Sequence, residues 1–215
     1  MSQVGGFREG FVELWPTLFL QVRLDDAGSH NRWLADMIRD MERDNRALTT
    51  DYLEQNLLEA DAPSLTWLRQ AVNGCAISYL RKMGLDYGVD WTIQAWPNVN
   101  RFGDYHDYHN HPRAYLSGTY YVKVPAGTEK LKLRRDARPG CISFYDPRYS
   151  VNMTSIKGDA YVDPEYTVRP EAGMLLMWPS FINHFVHPNL SKQVRISISF
   201  NIVLKWSDRY LPEQR

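Results

Sequence analysis

Five of the six histidines fall in two short stretches, Tyr105-His106-Asp107-Tyr108-His109-Asn110-His111-Pro112 and His184-Phe185-Val186-His187-Pro188-Asn189. Neutral imidazole and carboxylate are the usual ligands of iron, zinc and related ions. In an extended chain side chains alternate, so Asp107, His109 and His111 are expected on one face and His106, Tyr108 and Asn110 on the other. An H-x-H pair joined by one distant histidine can form one face of an octahedron and leave positions open for substrate and oxygen. His30 stands alone near the first helix and reads as a satisfied structural residue, and His106 and His187 fall on the less favoured side of this pattern. Only two cysteines occur, Cys75 and Cys141, with no C-x-x-C spacing, so a metal must be held by His and carboxylates. Cys75 reads as a small core residue.

Other chemistries lack their parts. There is no G-x-S-x-G, H-E-x-x-H, P-loop or dinucleotide glycine fingerprint. The letters His109-Asn110-His111 are not a nuclease HNH signature, which spreads its residues over a ββα unit. Twenty-five basic residues balance 25 acidic ones without a basic block, which argues against nucleic acid as partner. The start MSQVGGFREGF has no leader pattern and no stretch is long and apolar enough for a membrane span, so a cytoplasmic location without membrane attachment is expected.

The elements that position the histidines follow from periodicity. Leu14 to Leu24 alternates as a half-buried strand. A helix follows, with Ser29 as N-cap, Trp33, Leu34, Met37, Ile38 and Met41 on its apolar side and an end near Asn45. A second opens around Pro63, carries Leu65, Leu68, Val72, Ala76 and Leu80, and stops at Gly84. From about residue 90 the texture is β, with strands expected at Trp91–Val99, Tyr115–Val124, Leu131–Leu133, Cys141–Tyr145, Thr167–Arg169, Met174–Trp178, Phe185–His187 and Val194–Leu204. In the last, Ile196, Ile198, Phe200 and Ile202 share one side, and Arg195, Ser197, Ser199 and Asn201 the other. Ser117, Thr119, Tyr121 and Lys123 make a similar polar side, facing either water or a functional interior. Trp96, Asn98 and Asn100 share a face that, with Tyr105 and Trp178, would line such a pocket. The expected architecture is mainly β: a sandwich or barrel with an N-terminal helical layer, in one domain.

The stretches HDYHNHPRAYLSGTYYVKVP, FYDPR and GMLLMWPSFINHFVHPN…VRISISFN resemble a bacterial family of 2-oxoglutarate/Fe(II)-dependent oxygenases. The resemblance implies a double-stranded β-helix, or jelly-roll, cupin-like core over 89–206, an N-terminal strand and helices over 1–88 packed on it, and a tail over 207–215. It implies Fe(II) held by His109, His111 and His184, and 2-oxoglutarate as cosubstrate, its distal carboxylate bound by Arg195 with help from Ser197 and Tyr121. His111 stands where relatives usually carry a carboxylate. Asp107 could restore that charge as a ligand, or accept a hydrogen bond from a ligand imidazole; in an extended strand it lies roughly 13 Å from His111, which favours the second role. The implied activity is hydroxylation of a small-molecule or peptide substrate with release of succinate and CO2. The alternative is a three-histidine cupin, a dioxygenase or isomerase without 2-oxoglutarate, in which Arg195 has no role; the third is a binding module without turnover. A symmetric homodimer is compatible with the sequence.

Overall fold

The computed structural model describes residues 17–49, 56–84, 89–126, 137–148, 156, 158–159 and 162–205. The chain runs β1 (Leu20–Arg23), α1 (Ala27–Asp44), one turn of 3-10 helix, α2 (Pro63–Lys82), β2 (Trp91–Asn100), β3 (His106–His109), β4 (Leu116–Lys123), β5 (Ile142–Tyr145), β6 (Glu165–Val168), β7 (Met174–Pro179), β8 (His184–Val186) and β9 (Arg195–Leu204). The strands form two antiparallel sheets, a larger one in the order β1-β7-β4-β9-β2 and a smaller one in the order β3-β8-β5-β6. This is the jelly-roll arrangement with helices on one side. The expected strand at Leu131–Leu133 and the first residues of the Leu14–Leu24 run lie outside the described residues.

Alternation on β9 decides how the layers stack. Ile196, Ile198, Phe200 and Ile202 are buried in one cluster with Leu34 and Ile38 of α1 and Leu65, Leu68, Val72 and Ala76 of α2, so the apolar side of the larger sheet faces the helices. Arg195, Ser197 and Ser199 then face the interior between the sheets, where a second cluster contains Ile142, Phe144, Leu176 and Trp178. Phe19, just before β1, joins this inner cluster, its ring 4.7 Å from Phe144. At Gly118 on β4 an added Cβ would overlap the Phe200 ring and lie 2.5 Å from the Leu176 carbonyl oxygen, so only glycine lets these strands pack.

The helices depart from expectation at one end. α1 starts at Ala27, with Asp26 at φ 57°, and the Ser29 hydroxyl donates back to the Asp26 carbonyl instead of accepting from an N–H as a cap does. Its buried stripe is Leu34, Ala35 and Ile38, and Trp33, one position off that stripe, is exposed. α2 matches its signals: Pro63 opens it and Gly84, at φ 72°, ends it. The Tyr79 hydroxyl donates to the Leu18 carbonyl at 2.6 Å, tying α2 to the strand entry. Cys75 is partly buried against the helix-side core, and burial pushes its thiol pKa up, as a packing residue requires. Among the described residues no helix is long and apolar enough to cross a membrane.

Candidate metal centre and adjoining cavity

The strand carrying the first histidines does not alternate as expected. His106 pairs with Val186 and His109 with His184, so Asp107 and Tyr108 oppose the single residue Phe185. This β-bulge turns both His106 and His109 into the interior and leaves Asp107 and Tyr108 exposed. His111 lies past the end of β3 in a turn, its N–H donating to the Ser180 carbonyl at 3.0 Å. His184 opens β8 on the facing strand.

His109, His111 and His184 each bring one ring nitrogen to within 4.8 Å of the others. Two of the rings are oriented the same way. Nδ1 of His109 is 2.5 Å from the Asp107 carbonyl oxygen and Nδ1 of His184 is 3.1 Å from that of Ile182, in each case the carbonyl two residues back. A carbonyl only accepts, so Nδ1 carries the proton in both rings and Nε2 keeps its lone pair for a metal. Asp107 thus acts through its main chain; its carboxylate accepts from the Tyr108 N–H at 2.8 Å and is not among the grouped ligand atoms. Burial, and then the neighbouring His109, lowers the His111 pKa to about 4, and burial holds His184 well below its ordinary value. Both are neutral at pH 7, the form that binds metal.

The three rings and Arg195 line the same cavity, of about 260 Å³. Arg195 is 2% exposed, and its Nη2 donates to Asn100 Oδ1 at 3.0 Å, while Nε and Nη1 have no partner among the described residues. Since a guanidinium only donates, Asn100 must present its oxygen to Arg195 and its Nδ2 to His106 Nε2, 3.2 Å away. His106 is therefore neutral with its proton on Nδ1, in keeping with a pKa lowered to about 4 by burial and by Arg195. Tyr121 and Ser197, paired across β4 and β9, line the same cavity, and burial raises the Tyr121 pKa so that it stays a neutral donor.

A family model described as "Putative 2OG-Fe(II) oxygenase" matches residues 94–201, half of the chain. The chain belongs to this family. The 2OG-Fe(II) oxygenases use Fe(II) and 2-oxoglutarate. No curated protein matches the chain. Among solved structures, a prolyl-4-hydroxylase from Pseudomonas putida is 17% identical over 86% of each chain, with a TM-score of 0.57. A prolyl hydroxylase from Trichoplax adhaerens, solved with a hypoxia inducible factor oxygen degradation domain peptide fragment, is 12% identical over 86% of this chain and 83% of its own, with a TM-score of 0.56. HygX from Streptomyces hygroscopicus, solved with nickel and 2-oxoglutarate, is 11% identical over 87% and 82%, with a TM-score of 0.54. At these identities the likeness is one of fold.

The residues of this oxygenase fit both cofactors. Three imidazoles with two Nε2 lone pairs set by main-chain carbonyls suit a divalent metal. A buried guanidinium with two free donors, and no carboxylate partner among the described residues, suits a carboxylate. Trp96 and Asn98 line the cavity as the strand face implied, and Asn100 holds Arg195 just beyond them. Tyr105 does not line it and is 55% exposed. His30 stacks on Trp67 at 4.3 Å and bonds Ser64, and His187 bonds Ser143, both apart from the triad as expected. Asp146 and Arg148 of the FYDPR stretch form an ion pair, and hydrogen bonds from Arg148 hold the Asp146 carboxyl below its usual value. Sequence reasoning missed His106, and it missed Thr49, which reaches the cavity wall and accepts from the Val99 N–H at 3.0 Å. The inward turn of His106 depends on a bulge, for which the local residues carry no signal.

Proposed function

We propose that this oxygenase holds Fe(II) through His109, His111 and His184 and anchors the distal carboxylate of 2-oxoglutarate on Arg195, with Ser197 and Tyr121 as further donors, to hydroxylate a substrate C–H bond. The observation that carries the reading is the pair of Arg195 donors that have no partner among the described residues, buried in the same cavity as the three clustered imidazoles. Bound iron and 2-oxoglutarate supply the oxidising chemistry, which converts the keto acid and O2 to succinate, CO2 and one oxygen atom inserted into the substrate. The chain's own residues bind and orient. His109 and His184 present Nε2 because their Nδ1 protons are held by carbonyls. Asn100 fixes one edge of Arg195 and leaves the rest free for the cosubstrate. Trp96, Ile142, Trp178 and Val186 wall the cavity with apolar surface and limit the water that reaches the reacting atoms.

Arg195 also separates this reading from a three-histidine cupin, in which no keto acid needs a buried cation. The test is anaerobic calorimetry of the Fe(II)-loaded protein with 2-oxoglutarate. Arg195→Met is expected to fold and keep its iron while losing at least tenfold to a hundredfold in 2-oxoglutarate affinity. Unchanged affinity would transfer the assignment to the cupin chemistry.

A further inference from the structure

Among the described residues, the charge inventory of the cavity does not close. Among the described residues that line it are four histidines and Arg195, and no aspartate or glutamate. Among the described acids, Asp104, whose charge acts on Arg195, and Asp107 are exposed to solvent, Asp107 accepts from the Tyr108 N–H, and Glu165 is paired with Arg138. Imidazole binds a metal in its uncharged form, so a divalent metal at the triad brings two positive charges and Arg195 a third. Dianionic 2-oxoglutarate removes two of these, so one positive charge remains in a site partly shielded from water. The hydrogen-bonding inventory leans the same way. Of the buried side-chain atoms without a partner among the described residues, three are donors, Trp178 Nε1 and Arg195 Nε and Nη1, and one is an acceptor, Asn98 Oδ1. Two of the donors belong to the Arg195 cosubstrate anchor. The third is on Trp178, whose ring lies 5.0 Å from that of His184, on the cavity wall beside the triad.

We propose that this oxygenase acts on an organic acid: the substrate carries a carboxylate that enters the cavity beside 2-oxoglutarate, accepts the Trp178 N–H and supplies the missing negative charge. The proposal rests on the metal and cosubstrate assignments above. A planar two-oxygen group fits a confined cavity with a single indole donor, and a carboxylate in place of any neutral wall residue would oppose it.

The test uses the full chain loaded with Co(II) and saturated with 2-oxoglutarate, both steps followed first by calorimetry. Acetate and acetamide, alike in shape and different in charge, are then titrated against the visible Co(II) absorption. Acetate is expected to bind at least tenfold more tightly than acetamide. That preference is expected to fall at least tenfold in His111→Asp and in Asn98→Asp, each of which adds one negative charge, and Trp178→Phe is expected to weaken acetate alone. If His111→Asp does not retain cobalt, the near-isosteric Asn98→Asp decides. Equal affinities for the two probes, or a preference unchanged in Asn98→Asp, with Co(II) and 2-oxoglutarate bound, would overturn the proposal. A wild type that binds neither Co(II) nor 2-oxoglutarate would overturn the function itself, and this inference with it.

Discussion

The carbonyls of Asp107 and Ile182 set the two imidazoles whose protons are assigned, which makes the identity of side chain 107 unimportant for the metal. Asp107→Asn is expected to keep iron affinity within about twofold, whereas His184→Ala should lose most of the metal, because outer partners contribute through the atom that touches the ligand. Metal analysis after anaerobic dialysis checks both, with His30→Ala as the unaffected control. At this scale the sequence was legible in part. The residue types and their clustering identified the histidine stretches, and the opposite faces of β9 singled out Arg195 as polar against an apolar side. The face assignments around residue 107 were not legible, because the alternation rule assumes a regular strand and one inserted residue reverses it. His106 therefore lines the cavity, and the Asp107 carboxylate does not.

Elements with long, consistent periodicity were the easiest to anticipate. α2 and β9 match their expected spans closely because capping residues, apolar spacing and burial all agree. β3 reads as extended chain but is not among the expected strands, because HDYH holds one strong β-former, Tyr108, and owes its pairing to β8. The start of α1 differs because Ser29, a residue type that usually caps, bonds a carbonyl within the first turn. Close packing between elements gives the next prediction. Gly118→Ala inserts a Cβ into the Phe200 ring and the Leu176 carbonyl of adjacent strands, so it should destabilise the fold by about 1–3 kcal/mol or more in urea titrations. Leu68→Ala in α2, at a position with no exposure, should cost roughly 2–5 kcal/mol by the same measurement.

At the scale of the whole molecule, the described helices α1 and α2 pack on the larger sheet. The larger sheet shares an extensive apolar core with α1 and α2, while the smaller sheet is held mainly by the inner cluster around Ile142, Phe144 and Trp178. Arg195 is buried without a carboxylate partner among the described residues, and a bound carboxylate would supply one. Saturation with 2-oxoglutarate at about one hundred times its dissociation constant should therefore add about 2.7 kcal/mol of stability, readable as a concentration-dependent Tm. The placement of the groups has a mechanical consequence. His109 and His184 ride on the smaller sheet, and His111 follows directly from it, while Arg195, Ser197 and Tyr121 all belong to the larger one. A metal alone ties together strands of one sheet. Under the proposed assignment, a keto acid held at one end by that metal and at the other by Arg195 would be a removable cross-link between the two sheets. Hydrogen exchange should report it as slower opening of β3 and β8 with metal, and a further slowing across both sheets only when 2-oxoglutarate is added. Under the same assignment, turnover would shorten that link by one carbon, so the two halves of the barrel would be less firmly joined with succinate bound than with 2-oxoglutarate.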